Sequence, residues 1–235
     1  MLREKQKKIQ ELFDSGSKRY DLLNRLLSLG QDISWRKKAI LYANIPQHGF
    51  VLDLATGTGD VAILTAKESS PNVKIIGLDI TRKMLELAKD KIRKSGLDSK
   101  ISFLLGAVEE IPCLDETFDC ITIAFGLRNV ADIPSGIKEM KRVLKKGGRL
   151  IILEFSKPNN GIISKVAWFY IKNILPVIGG IISGHKANYK YLPDSISSYF
   201  KPEEVYLLLL KNGFININIE RLNFGTVTIH SAIKA

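Results

Sequence analysis

The sequence predicts an α/β fold: a mostly parallel seven-stranded sheet with an antiparallel strand pair closing one edge, helices on both faces, and an N-terminal helical cap. Three observations predict it. Between residues 50 and 155, short apolar runs of strand length alternate with longer amphipathic segments, the order expected of parallel strands joined by crossover helices. The runs are apolar throughout, so both faces of the sheet are buried. A glycine-rich turn follows the first run, where such sheets hold ligands.

The cap comes first. Ile9, Leu12 and Phe13 keep a helical spacing, as do Leu22, Leu23, Leu26 and Leu27 and later Ile40 and Leu41, with Gly16 and Gly30 as breaks. These helices fill residues 1–45. Tyr20-Asp21-Leu22-Leu23-Asn24 sets polar groups on an otherwise apolar helix, either as a lid over the cleft or as plain helix surface. A core at 46–157 follows, with strands at 50–54, 73–79, 101–105, 119–125 and 149–155 and helices at 60–69, 82–95 and 133–145. Lys145-Lys146-Gly147-Gly148-Arg149 reads as a helix end and turn.

Residues 158–235 complete a single domain. The most apolar run, 162–182, is broken by Lys165, Lys172, Pro176 and the Gly179-Gly180 pair, which argues against a membrane span and for helices over the sheet edge. Trp168, Phe169 and Tyr170 beside lysines also suit a lipid surface or a tunnel for a greasy tail. A short helix after Pro193 reaches Tyr199, a helix at 202–212 ends at Gly213, and 214–221 with 224–233 form the closing antiparallel pair.

The chain has 235 residues and a net charge of +11. Its basic residues are dispersed and not gathered in a stripe with aromatics, which argues against nucleic acid and leaves an anionic membrane face or solubility as the reason. Cys113 and Cys120 are too few for a disulfide framework, and with His48, His185 and His230 scattered they match no metal spacing. The N-terminus has charge without a following apolar stretch, so no secretory signal is expected. The expectation is a cytoplasmic protein without a metal.

The chemistry begins at Val51-Leu52-Asp53-Leu54-Ala55-Thr56-Gly57-Thr58-Gly59-Asp60. Gly57 and Gly59 let the chain turn sharply and a ligand lie against bare backbone. The helix starting near Asp60 then points free N–H groups at that ligand. Gly57 to Ala62 also fits the dinucleotide fingerprint, with Asp79 about twenty residues on where a ribose-binding acid belongs. Asp53 and Asp60 would crowd a pyrophosphate, and a cationic methyl donor removes that conflict, so both ligands stay open here with the acids weighing for the donor.

Other strand ends add candidates. Asp79, followed by Ile80, is placed to take two ribose hydroxyls, and Gly106-Ala107 gives an adenine ring bare backbone to lie on. After the fourth strand, Phe125-Gly126-Leu127-Arg128-Asn129-Val130 sets a cation and an amide where they can hold an oxygen-bearing ring.

These motifs, with Arg142-Val143-Leu144-Lys145 and Leu153-Glu154-Phe155-Ser156-Lys157-Pro158, resemble the class I S-adenosylmethionine-dependent methyltransferases that C-methylate quinone precursors in menaquinone and ubiquinone biosynthesis. The resemblance covers nearly the whole chain and implies a Rossmann-like methyltransferase fold. It implies donor contacts at Thr58, Asp79, Gly106 and Ala107, joining Asp53, Gly57, Gly59 and Ile80 from the strand ends. Ala124 stands where the family usually has a serine, Gln31 to Ser34 depart from its usual residues before Trp35, and its C-terminal glycine pair is Phe224-Gly225 here.

The implied reaction is transfer of a donor methyl to a ring carbon of a reduced naphthoquinol or benzoquinol. Arg128 is expected to stabilise a quinolate oxygen, with Asn129 and Tyr20 holding the ring. A lipophilic quinol partner brings the expectation of peripheral contact with the anionic inner face of a membrane, and a homodimer is compatible. The competing readings are a methyltransferase for another small molecule or RNA, a donor-binding scaffold without catalysis, and an NAD-dependent oxidoreductase.

Overall fold

A computed structural model describes residues 2–16, 21, 24–25, 28–157, 168–174 and 186–235. Seven strands form one sheet: β1 (Phe50–Leu54), β2 (Lys74–Asp79), β3 (Ile101–Leu105), β4 (Phe118–Ala124), β5 (Leu144–Phe155), β6 (Phe214–Leu222) and β7 (Val227–Lys234). Their order is β3-β2-β1-β4-β5-β7-β6. The first five are mutually parallel, and β7 runs antiparallel to both β5 and β6. The closing antiparallel pair thus stands at the edge as expected, with β6 outermost. Strand order reverses between β1 and β4, which opens the cleft where such sheets bind ligands.

Among the described residues the α-helices are α1 (Leu2–Gly16), α2 (Gln31–Ala43), α3 (Asp60–Glu68), α4 (Arg82–Lys94), α5 (Ile133–Val143), α6 (Lys186–Ser198) and α7 (Pro202–Lys211). Alternation along the strands sends Leu52, Leu54, Ile121 and Ile123 into a core packed by Ile137 and Met140 of α5 and Val205 and Leu209 of α7. Val51, Ile75 and Ile151 face the other way, onto Trp35 and Ala39 of α2, Ala62 and Ala66 of α3 and Ile92 of α4. Both faces are therefore dry, which is why the strands carry no polar alternation.

Three expectations change. Lys145 to Arg149 is not a helix end: α5 stops at Val143, and the segment is an irregular stretch inside β5, between the Phe118–Leu144 and Cys120–Arg149 pairings, with Gly147 at φ 74°. The helix at Tyr199 does not wait for Pro193 but runs through it from Lys186, forgoing the one backbone bond that proline cannot donate. Leu41 is 80% exposed and is no core residue. The spacing at Leu22, Leu23, Leu26 and Leu27 and most of the 162–182 run lie outside the described residues; of that run, Phe169 is exposed and Tyr170–Ile174 is a short π-helical turn. No described helix is long and apolar enough to cross a membrane.

One polar residue is buried where β1 meets β4. Asp53, 1% exposed, accepts the hydroxyls of Thr56 at 2.5 Å and of Thr122 at 2.7 Å, tying the turn after β1 to β4. Burial pushes its carboxyl up to about 6 against the pull of those two bonds. The folded state therefore holds a proton that the unfolded chain releases near 3.8, so stability from this group is full below that value and is lost as pH rises through about 6. Relative to Asp53→Asn, the wild type should lose about 2 kcal/mol between pH 4 and pH 7.5. Urea unfolding of both proteins at the two pH values checks it, and parallel stability profiles would contradict it.

Candidate active site

A cavity opens at the carboxyl ends of β1, β2, β3 and β4, the place where such sheets hold ligands. Gly57, Asp79, Ile80, Gly106, Ala107 and Asn129 all line it, so strand ends far apart in sequence converge as expected. Gly57 has φ 56° and Gly59 φ 82°, conformations that side-chain-bearing residues rarely adopt. The Asp79 carboxylate accepts N–H bonds from Gly57 and Thr81, each at 2.8 Å. Burial raises its pKa although those bonds oppose the rise. Each oxygen retains a lone pair, and an ionised carboxylate so held can accept two vicinal hydroxyls.

The cleft is narrow because two loops touch. A Cβ on Gly126 would come within 2.5 Å of the Ala55 Cβ, so the loop after β4 rests directly on the turn after β1. Ala55 has φ 49° and Phe125 φ 57°, left-handed values that are sparsely populated outside glycine and tend to gather at functional sites. The Phe125 carbonyl accepts from Arg128 Nη1 at 2.6 Å, and its ring packs against Phe155 at 4.7 Å and Trp35 at 6.1 Å between centroids.

Three expected donor contacts are not on the cavity. Asp53 faces Thr56 and Thr122 instead. Thr58 is 5% exposed and donates its hydroxyl to Asp21 at 2.5 Å, and Gly59 caps α3 behind Gly57. Asp60 is not a bare charge at the mouth either: it pairs closely with Lys91 and, at 3.7 Å, with Arg25. Burial opposes its ionisation, yet Lys91 holds its pKa below the ordinary value. The preference for a cationic ligand read from Asp53 and Asp60 does not follow from where they lie.

Arg128 is also placed differently. Its side chain is 7% exposed and its Nη1 donates to Glu154 at 2.6 Å; Glu154, fully buried on β5, also accepts the Arg128 backbone N–H at 3.1 Å. The guanidinium sits 5.4 Å from the Phe155 ring centre. Its charge is thus neutralised within the protein. Tyr20 lies outside the described residues, and Asp21 beside it binds Thr58 and Lys91.

Several site residues escaped the sequence reading. Gln6, Ile9 and Phe13 of α1 wall the cavity, and Gln10 donates to the Ile80 carbonyl at 3.2 Å. The spacing of Ile9 and Phe13 showed a buried face but not what it covers. Glu109, also on the wall, accepts the N–H groups of Ala131 at 2.7 Å and Asp132 at 3.2 Å. Tyr191 of α6 donates to Asn129 Oδ1 at 3.0 Å, which fixes that amide, and its Nδ2 donates at 3.5 Å to the Phe125 carbonyl, leaving one N–H over.

The residues fit a nucleoside-bearing methyl donor. Gly57 has open space beside it, Asp79 offers the hydroxyl acceptors, and Leu78, Ile80, Met84 and Val108 supply apolar wall for a base. Gly126→Ala should force the two loops apart, lowering S-adenosylmethionine affinity at least about tenfold and stability by about 1–3 kcal/mol. Titration calorimetry with the donor, alongside thermal unfolding, checks both, and wild-type affinity in the variant would refute the loop contact as the limit on the cleft.

Comparison with known proteins agrees with this geometry. The profile of the ubiE/COQ5 methyltransferase family matches residues 1–234. The chain is 44% identical over 233 residues to the ubiquinone/menaquinone biosynthesis C-methyltransferase UbiE of Geotalea uraniireducens, covering 99% of each. It is 38% identical to the demethylmenaquinone methyltransferase of Bacteroides fragilis, over 98% of this chain and 94% of that protein. Its fold is similar to that of a SAM-dependent methyltransferase from Aquifex aeolicus, with a TM-score of 0.66, 19% identity and 98% of each chain covered. With a family match over almost every residue and a donor-shaped cleft at the switch point, the chain belongs to the ubiE/COQ5 methyltransferase family.

Proposed function

We propose that the protein transfers the methyl group of S-adenosylmethionine to a ring carbon of a reduced, polyprenylated quinone precursor, with demethylmenaquinol as the acceptor. The observation that carries the reading is the meeting of the donor cavity and the Phe125 to Val130 loop, which puts Asn129 on the cavity wall. The name of the Bacteroides fragilis relative favours the naphthoquinol ring.

When bound, S-adenosylmethionine supplies an electrophilic methyl on a sulfonium. Asp79 holds the ribose hydroxyls, Gly57, Gly106 and Ala107 leave room for the nucleoside, and α1 keeps water out through Ile9 and Phe13. Asp53 and Gly59 act indirectly, by shaping the turn that presents Gly57. A hydroquinone that loses a hydroxyl proton to water gains charge on the adjacent carbon, which attacks the methyl as the methyl–sulfur bond breaks and its electron pair stays on sulfur, leaving S-adenosylhomocysteine. The methylated ring carbon then gives its proton to water and the ring regains aromaticity. Asn129 Nδ2 is the donor we assign to that oxygen, with Arg128 holding the loop behind it through Glu154 and the Phe125 carbonyl and Tyr20 against the ring. Most of the gain comes from alignment, which is worth roughly 7–11 kcal/mol when reacting atoms are held in line.

A polyprenyl tail places the acceptor in a membrane. The start of α1 joins half-exposed Leu2 to Arg3, Lys5, Lys7 and Lys8, a composition that suits peripheral contact with an anionic membrane face.

Transfer of labelled methyl to reduced demethylmenaquinone in detergent, beside a demethoxy-type benzoquinol, tests activity and ring choice together. Asn129→Ala should lower turnover about 100-fold with donor affinity little changed. Arg128→Lys keeps a cation opposite Glu154 but loses the guanidinium that bonds the Phe125 carbonyl and packs on Phe155, and should lower turnover by a similar factor. Equal turnover in these variants and the wild type would remove both residues from the reaction.

A further inference from the structure

Asn129 meets two parts of the molecule at once. It lines the donor cavity from the loop after β4, and its amide bonds Tyr191 of α6, 62 positions along the chain. The bonding pattern fixes which end of the amide is which. The Phe125 carbonyl can only accept, so the group facing it at 3.5 Å is Nδ2. Oδ1 then lies 3.0 Å from the Tyr191 hydroxyl, which must be the donor.

These two restraints are unequal. A bond of 3.5 Å is long and weak, and the Phe125 carbonyl already accepts from Arg128 Nη1 at 2.6 Å. The Tyr191 bond is of ordinary length, so it carries most of the orientation. Without it, little keeps the amide from turning over and offering Oδ1, which repels an anionic ring oxygen, where Nδ2 now stands. A second effect is electronic. An O–H bonded to an amide oxygen draws charge from the amide nitrogen and strengthens its N–H as a donor, a cooperative gain of about 10–30% per bond. Burial raises the Tyr191 pKa, against the pull of Arg128 and with Glu154 adding to the rise, which keeps the hydroxyl protonated for that bond.

We propose that Tyr191 is a positioning residue for methyl transfer: its hydroxyl holds the Asn129 amide with an N–H for the acceptor's ring oxygen and strengthens that donor. The inference rests on the methyl-transfer reading above. Tyr191 is not on the cavity wall and acts only through Asn129. It gives α6 a task as well, since that helix brings the hydroxyl to the loop after β4.

Tyr191→Phe removes one oxygen and no volume. In single-turnover transfer of labelled methyl to a short-tailed reduced demethylmenaquinone, the rate should fall about tenfold, with the Kd of S-adenosylmethionine unchanged. In an Asn129→Ala background the same substitution should change the rate by less than about twofold, because the group it positions is gone. A wild-type rate in Tyr191→Phe, or a loss of the same size in both backgrounds, marks a merely structural hydroxyl; either overturns this assignment and leaves methyl transfer standing. No transfer by the wild type to any quinol overturns both.

Discussion

The site depends on the contact between the turn after β1 and the loop after β4. Gly126 lies so close to Ala55 that a single added carbon would not fit, and Asp53 bonds the turn and β4 together beneath that contact. Everything on the cavity inherits its position from this seam. It sets how far the Gly57 backbone stands from Asp79, and it forces Phe125 into a left-handed conformation that aims Leu127 into the core and Asn129 at the cleft. Strain of this kind, about 1–3 kcal/mol for each such residue, persists only where surrounding structure over-determines it. Here the Trp35, Phe125 and Phe155 rings and the bond from Arg128 provide that restraint.

The buried Arg128–Glu154 pair then braces the loop after β4 from behind. A free guanidinium in this loop would attract anions. Paired with a carboxylate that has no exposure, it has its charge balanced within the protein, and its Nη1 bonds Glu154 and the Phe125 carbonyl. Such pairs contribute little net stability, but removing one partner leaves a buried charge and costs about 3–5 kcal/mol.

Much of this was legible in the sequence where a local pattern has one cause. The strands and helices of the core, the glycines at 57 and 59 and the acid at 79 follow from apolar periodicity and from turns that exclude side chains. What was not legible depends on partners distant in the chain. Asp53 and Asp60 looked like neighbours of a ligand, because sequence spacing shows which acids are near a turn but not which way they point or what neutralises them. Arg128 looked like a free cation for the same reason, since Glu154 lies 26 positions away on another strand. Tyr191 sits on α6, a helix whose only visible signal was a proline that suggested a later start.

The most direct test of the account is a crystal structure of the protein with S-adenosylhomocysteine and a short-tailed reduced naphthoquinol bound together. The nucleoside should lie over Gly106 with its ribose on Asp79, and a ring oxygen should come within about 3 Å of Asn129 Nδ2. A quinol seated away from the loop that carries Asn129, with its ring oxygens meeting other groups, would contradict it.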